Sequence, residues 1–180
     1  MRLLPALAVS LAATAAVADK PAGNVPAPTS GAAPIVAAPA TPPVLTNYFR
    51  SDANAAAMVD GAVAEAKAGG RRAILVFGAD WCSDSVALAA VLSSDFFQAY
   101  LGSKYSVTFI DVNRPTRGQG RNQEIVRQFG IETMTGTPEV VVIGRSGRPL
   151  NTLADAQSWR NAGERPVLQI MGYFRDLPED

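Results

Sequence analysis

The stretch Ala73–Ser85, AILVFGADWCSDS, decides the fold of this 180-residue chain. Its first five residues are apolar without alternation, which is typical of a strand buried on both faces. Gly78-Ala79-Asp80 then predicts a turn, and the helix-forming run 86–92 follows the cysteine almost at once. The sequence therefore predicts a strand, a short turn and a helix, with a thiol at the first turn of that helix.

The thiol belongs to Cys82, the single cysteine of the chain. Unpaired backbone N–H groups and the helix dipole favour a thiolate at a helix start. Ser85, one helical turn on, is positioned to donate a hydrogen bond to that thiolate, whereas the nearby carboxylate of Asp84 opposes it. Plainer interpretations stay open: Cys82 as a small buried hydrophobe, and Ser85 and Asp84 as ordinary first-turn residues.

The composition excludes several classes of function. Sixteen Lys and Arg residues balance sixteen Asp and Glu residues, and the basic residues are scattered, so we expect no nucleic-acid partner. The chain has no histidine, which removes the commonest metal ligand and the commonest general base. One cysteine without histidine also excludes the usual zinc-site spacings, so we expect neither a metal nor a cofactor.

The chain divides into three predicted parts. Residues 1–18 are predicted to be a signal peptide, because an apolar run ends in the small-residue pattern Ala16-Val17-Ala18. A transmembrane anchor is the alternative, but the run is short for a span of about 20 residues. Residues 19–44 are rich in Pro and Ala and predict a disordered linker, and residues 45–180 predict the folded domain. We expect a periplasmic or secreted protein, not stably inserted in a membrane after cleavage.

The folded part alternates helices and strands. Ser51 or Asp52 is expected to cap the first helix, Pro166 to open the last, and short helices to follow the first two strands. After the predicted strand at 73–77, three more are expected at 105–112, 139–143 and, more weakly, 149–153. Strands separated by helices pair in parallel, and strands joined by a short turn pair antiparallel. The sequence thus predicts an α/β fold with a mixed central sheet flanked by helices.

With Thr137-Pro138 placed before the strand at 139–143, this layout resembles the thioredoxin superfamily. It is most similar to bacterial thioredoxin-like proteins with a Trp-Cys-x-Asp-Cys centre. Further matching residues lie in the second strand, on the helix after it and around two turns: Ile110-Asp111-Val112, Asn122, Gly136 and Gly147. The resemblance covers roughly residues 50 to 177 and implies a thioredoxin-like three-layer fold.

The resemblance also implies roles for the site residues. Cys82 would be the attacking nucleophile, Pro138 a cis-proline beside the sulfur, and Thr137 the backbone partner of an extended substrate. Trp81 would face the substrate, although packing against the sheet is an equal alternative. The chain departs from the pattern at Ser85, which replaces the resolving cysteine, so an internal disulfide cannot release the product.

A single thiol can still form mixed disulfides. We therefore expect an exported monothiol redox protein that acts through Cys82 on cysteine-containing proteins or small thiols, by exchange, isomerisation or deglutathionylation. A disulfide-linked dimer through Cys82 is a further expectation in an oxidising compartment. The alternative is a redox-inactive peptide-binding module on the same fold. An iron–sulfur carrier of the monothiol glutaredoxin kind is disfavoured, because its Cys-Gly-Phe-Ser centre is missing.

Overall fold

Three strands form the central sheet of the protein, whose computed structural model describes residues 47–179. They are β1 (Arg72–Gly78), β2 (Tyr105–Asp111) and β5 (Glu139–Ile143), in the spatial order β2-β1-β5. β1 runs parallel to β2, with Arg72 opposite Tyr105, and antiparallel to β5, with Ala73 opposite Ile143. The unbroken apolar run predicts a strand covered on both faces, and every residue from 73 to 78 is buried.

The remaining elements are helices and one small hairpin. The hairpin pairs β3 (Asn113–Arg114) with β4 (Gln119–Gly120) around a 3-10 turn at Pro115–Arg117. A second 3-10 segment covers Ser158–Glu164. The α-helices are α1 (Ala55–Lys67), α2 (Ser83–Leu92), α3 (Asp95–Leu101), α4 (Gln123–Arg127), α5 (Leu153–Gln157) and α6 (Val167–Asp176).

The two faces of the sheet carry separate apolar cores, which gives the predicted three layers. One core packs α2, α3, the segment 158–164 and α6 against the face that carries Ile74 and Val76. The other packs α1, α4 and α5 against the face that carries Leu75 and Phe77. Adjacent strand residues point to opposite faces, so the same five-residue run contributes to both cores. The strand that leads to Cys82 is thereby fixed from both sides.

Two details of the predicted layout are wrong. The predicted strand at 149–153 is reduced to one isolated bridge between Ile143 and Pro149, because the side chain of Asn151 bonds both Val142 N and Val140 O where a strand backbone would. α5 then begins at Leu153. The second wrong detail is the direction of β5: helices separate it from β1 in sequence, which predicts parallel pairing, but β5 runs antiparallel to β1.

The start of α1 also differs from the prediction. Asn54, not Ser51 or Asp52, caps α1 through a hydrogen bond from Ala57 N to Asn54 Oδ1. The predicted signal peptide and linker, residues 1–44, lie outside the described residues, as do the first two residues of the predicted domain. Across residues 47–179, no helix is both long enough and apolar enough to cross a membrane.

Candidate functional site

Cys82 lies at the junction between β1 and α2. Its backbone is extended, with φ −95° and ψ 116°, and it is the N-cap residue of α2. Cys82 N donates to Ala79 O at 3.0 Å, which closes the turn, and Cys82 O accepts from Val86 N at 3.0 Å, which opens the helix. The side chain caps no backbone N–H of α2 and is partly buried. The thiol is therefore held at a helix start and remains accessible.

The cis peptide bond Thr137–Pro138 lies against this thiol. Cys82 Sγ donates to the carbonyl oxygen of Thr137 at 3.3 Å, across 55 residues of sequence. Thr137 and Pro138 are both buried and immediately precede β5. The structure thus brings together three of the predicted site residues, and the cis geometry is the one that the resemblance implies.

Ser85 is fully buried, and its hydroxyl makes no hydrogen bond within the described residues. The expected hydrogen bond between Ser85 and Cys82 is therefore not formed in this state, in which the thiol proton goes to Thr137. The side chain is enclosed because Ser85 Oγ lies against Gly78. A Cβ atom at Gly78 would come within 2.7 Å of Ser85 Oγ and 2.7 Å of the Phe49 ring.

Asp84 has a specific partner that the sequence does not reveal. Its Oδ1 accepts a hydrogen bond from Gly163 N at 2.8 Å, linking the first turn of α2 to the 3-10 segment Ser158–Glu164. The glycine permits this approach, since a Cβ atom there would lie 3.1 Å from the carboxylate oxygen. Asp84 therefore fixes the helix that carries Cys82, in addition to any effect of its charge.

Trp81 is about half exposed, at 46 %, and is held in place by the loop after β2. Its indole N–H donates to Asn113 O at 3.0 Å, and the guanidinium of Arg114 stacks on the ring, with Cζ 4.3 Å from the centroid. The sequence analysis proposed Trp81 but missed both loop residues. The only available signal was their position directly after the second strand.

Asp111 organises that loop. Its Oδ1 accepts from Asn113 N at 3.1 Å, and its Oδ2 pairs with Arg121 at 2.8 Å. Its backbone oxygen accepts from the side chain of Asn122 at 2.8 Å. Asn113 and Asn122 both have positive φ, of 50° and 53°, a conformation that asparagine tolerates better than most residues. These contacts place Asn113 and Arg114 beside Trp81.

Glu139 is a buried carboxyl group directly after Pro138, and the sequence analysis did not identify it as a site residue. Its Oε1 accepts from Thr135 N at 3.1 Å, while Oε2 has no hydrogen-bond partner among residues 47–179. Burial raises the pKa of Glu139 to about 6, and the Thr135 N–H, the charge of Arg160 and the nearby Gln157 amide oppose that rise. The carboxyl group holds the loop that carries Thr137.

Within residues 47–179, no three His, Cys, Asp or Glu side chains converge as metal ligands would. The chemistry available to this geometry is that of one partly buried sulfur, an adjacent backbone carbonyl and an exposed aromatic ring.

Comparison with solved structures identifies the fold. A disulphide isomerase from Xylella fastidiosa Temecula1 matches with a TM-score of 0.61 and 28% sequence identity, over 71% of this chain and 93% of that chain. A protein of unknown function from Pseudomonas aeruginosa matches with a TM-score of 0.35 and 19% identity, over 66% of this chain and 85% of that chain. No protein-family model and no curated protein matches this chain.

The similarity to the Xylella protein and the mixed, helix-flanked sheet agree with each other. The protein has a thioredoxin-like fold, as the sequence predicts. The similarity also suggests, at most, a thioredoxin-like redox function, because it is a likeness of fold.

Proposed function

We propose that the protein performs thiol–disulfide exchange through Cys82. The observation that carries the proposal is the position of the sulfur, partly exposed at the start of α2 and 3.3 Å from the carbonyl oxygen before the cis-proline. A disulfide isomerase with a TM-score of 0.61 is consistent with this chemistry. Substrates would be cysteine-containing proteins or small thiols, which Trp81, Thr137 and Pro138 would contact.

The proposed reaction has two steps. The Cys82 thiolate attacks one sulfur of a substrate disulfide, a new S–S bond forms, the old one breaks, and the second substrate sulfur leaves as a thiolate. Because Ser85 replaces a second cysteine, an outside thiol must then attack the mixed disulfide and regenerate Cys82. This sequence of steps permits isomerisation and deglutathionylation. If no other thiol is present, Cys82 of a second copy could attack the mixed disulfide at Cys82, which would release the substrate thiolate and leave a disulfide-linked dimer.

The thiol lies between two polar parts of the backbone. Cys82 is the N-cap residue of α2, and its Sγ donates to the Thr137 carbonyl oxygen. We propose that Ser85 acts when the thiol ionises. Its hydroxyl has a donor that no described group uses, and rotation about one bond redirects that donor.

The neutral-form hydrogen bond to Thr137 also favours a second candidate function. A thiol that stays protonated would leave a thioredoxin-like module that binds peptides through the exposed Trp81 face without reacting. The two candidates differ in whether Cys82 forms covalent adducts with a disulfide.

The rate of iodoacetamide alkylation against pH, measured on the full chain, separates the two candidates. If Cys82 performs exchange chemistry, we expect it to be alkylated faster than a free cysteine in the same buffer at neutral pH, and to form a mixed disulfide with a peptide disulfide detectable by intact mass. Cys82→Ser is the control, since it removes the sulfur with little change in size. Slow alkylation at every pH and no adduct would contradict the exchange function and leave peptide binding.

We further propose that the protein is exported to the periplasm or secreted, with cleavage after Ala18. The support is the apolar run that ends in Ala16-Val17-Ala18. Expression with a C-terminal tag, followed by fractionation and N-terminal mass analysis, tests this. A product that starts at Asp19 outside the cytoplasm is expected, and an uncleaved product in the membrane fraction would contradict it.

A further inference from the structure

We propose that Arg114 selects substrates in which an acidic residue lies next to the reactive cysteine, so that the substrate class is a disulfide of an acidic peptide segment. This inference rests on the proposed exchange function and specifies its substrate. Three observations support it: the guanidinium of Arg114 stacks on Trp81, hydrogen bonds hold the loop that carries Arg114, and Arg114 forms no ion pair with any residue in the range 47–179.

The position of Arg114 is set by Trp81, the residue directly before Cys82. The guanidinium carbon lies 4.3 Å from the centre of the indole ring, on a side chain that is 46 % exposed. Consecutive α-carbons lie about 3.8 Å apart, both in this chain and in any bound peptide. Because Trp81 directly precedes Cys82 and is exposed, the surface that Trp81 and Arg114 form together adjoins the attacking residue and is open to the neighbours of a substrate cysteine.

The loop holds Arg114 there before any substrate arrives. Trp81 is tied to Asn113 O, and Asp111 binds both Asn113 N and Arg121. Arg114 itself is half-buried, and it forms no ion pair with any residue in the range 47–179. The guanidinium has its ring-stacking contact and a full positive charge whose hydrogen-bond donors are free to bind a carboxylate bidentately.

Three carboxylates of this region are bound by protein donors other than Arg114. Asp80 accepts from Tyr48 N and Phe49 N, Asp84 accepts from Gly163 N, and Asp111 pairs with Arg121. Arg121 neutralises Asp111, whereas Asp80 and Asp84 keep their negative charges, so the contribution of Arg114 is measured by substituting Arg114 alone.

A second arginine lies by the loop that carries Thr137. Arg160 packs over Gly136, and its charge acts on the buried carboxyl group of Glu139. Arg114 is the arginine that stacks on Trp81, the residue directly before Cys82, and it is the cation to which the proposal assigns the substrate carboxylate.

The size of the effect follows from Coulomb's law. Two unit charges about 7 Å apart in a medium as polar as water change an association or reaction rate by about threefold. A substrate with an acidic residue next to its cysteine should react faster by this factor, and one with a basic residue there should react slower by the same factor. The rates for two such substrates should therefore differ by about tenfold at low salt, and less at high salt.

The experiment uses three synthetic peptides, Gly-X-Cys-X-Gly with X as Glu, Gln or Lys, each with its cysteine as a 2-pyridyl disulfide. The Cys82 thiolate attacks the peptide sulfur, the protein–peptide S–S bond forms, and 2-thiopyridone leaves, which is followed by its absorbance. The full chain is expected to react fastest with the Glu peptide, slower with Gln and slowest with Lys. The Glu-to-Lys rate ratio cancels any change in the fraction of thiolate.

Arg114→Gln is expected to reduce that ratio about tenfold, whereas Arg114→Lys keeps the charge but loses the ring stacking and the bidentate donors, so it should retain only part of the ratio. Lys104→Gln is the matched control. It removes the same charge at the opposite end of the sheet, where Lys104 O accepts from the first residue of β1, and it should leave the ratio unchanged. Iodoacetamide, which is uncharged, confirms that Cys82 is still reactive in each variant.

The outcomes separate this inference from the function on which it rests. If Cys82 reacts with none of the peptides, the exchange function is wrong. If it reacts with all three but the ratio is the same in the original protein and in Arg114→Gln, or falls equally in Lys104→Gln, exchange stands and selection by Arg114 is wrong.

Discussion

At the scale of single residues, Asp84 has two separable effects on the site. Its carboxylate accepts the Gly163 N–H and so ties α2 to the 3-10 segment Ser158–Glu164, and its negative charge lies two residues from the cysteine that attacks as an anion. Substitution can remove one effect and keep the other, since an asparagine retains the accepting oxygen without the charge.

We expect Asp84→Asn to alkylate faster than the original protein at neutral pH, because the attacking sulfur is anionic and the substitution removes a negative charge two residues away. Its free energy of unfolding should fall by less than about 1 kcal/mol, whereas Asp84→Ala loses the hydrogen bond and should fall by about 1–2 kcal/mol. Urea unfolding and iodoacetamide kinetics on both variants measure this. Equal destabilisation by Asn and Ala would show that the Gly163 hydrogen bond contributes nothing.

Glu139 makes stability depend on pH. Burial raises its pKa from 4.5 to about 6, so the folded protein binds this proton more tightly than the unfolded chain does. Stability must therefore fall as the pH rises from about 4.5 to beyond 6, and the loss amounts to about 1–2 kcal/mol.

Glu139→Gln should abolish that loss, because its side-chain oxygen can still accept from Thr135 N without becoming charged. The measurement is the free energy of unfolding of both proteins at pH 4.5, 6 and 7.5. The difference between variant and original should grow in favour of the variant by about 1–2 kcal/mol across this range. A constant difference would mean that the carboxyl group titrates normally.

At the scale of elements, the junction between β1 and α2 is held by close packing around Gly78. A Cβ atom there would lie 2.7 Å from both the Phe49 ring and Ser85 Oγ, and all three residues are buried. The end of the strand can approach α2 this closely only because that position has no side chain. The distance between β1 and the helix start sets where Cys82 lies.

Gly78→Ala should therefore destabilise the protein by about 1–3 kcal/mol through overpacking, and should slow alkylation of Cys82 if α2 shifts. Gly61→Ala is the matched control. Gly61 lies within α1 and has nothing within 4 Å of a Cβ atom, so the same change should stabilise the protein by about 0.5–1 kcal/mol. The midpoint temperature of thermal unfolding is expected to fall in Gly78→Ala and to rise in Gly61→Ala. An unchanged midpoint in Gly78→Ala would contradict the packing argument.

At the scale of the whole molecule, the sequence predicts correctly those features that depend only on residues close together in the chain. The run 73–77 indicates a doubly buried strand, and the thiol at the next helix start follows from local pattern alone. The strand predicted at 149–153 is wrong because Asn151 bonds β5 with its side chain, which a pattern of apolar residues cannot show. Asp84 and Gly163 are 79 residues apart, so their contact depends on the tertiary fold. Glu139 looks like a surface residue in sequence, and its burial is visible only once β5 is in the sheet.

The fold also indicates where a second thiol would change the proposed exchange reaction. Position 85 lies one turn after Cys82, fully buried against the end of β1, and there a second thiol could attack a mixed disulfide at Cys82. Such an attack forms the 82–85 disulfide and expels the substrate thiolate, so release no longer waits for an outside thiol.

Ser85→Cys should therefore accelerate reduction of a peptide disulfide by dithiothreitol by about tenfold or more, because the resolving step becomes intramolecular. Ser83→Cys is the control: it adds the same thiol at an exposed position directly beside Cys82, where the geometry of adjacent residues disfavours a disulfide. The rate of peptide thiol formation and the mass of the oxidised protein are measured for both variants. An 82–85 disulfide without faster turnover would show that resolution is not the step that limits this protein, and an equal gain from Ser83→Cys would show that the position of the second sulfur is irrelevant.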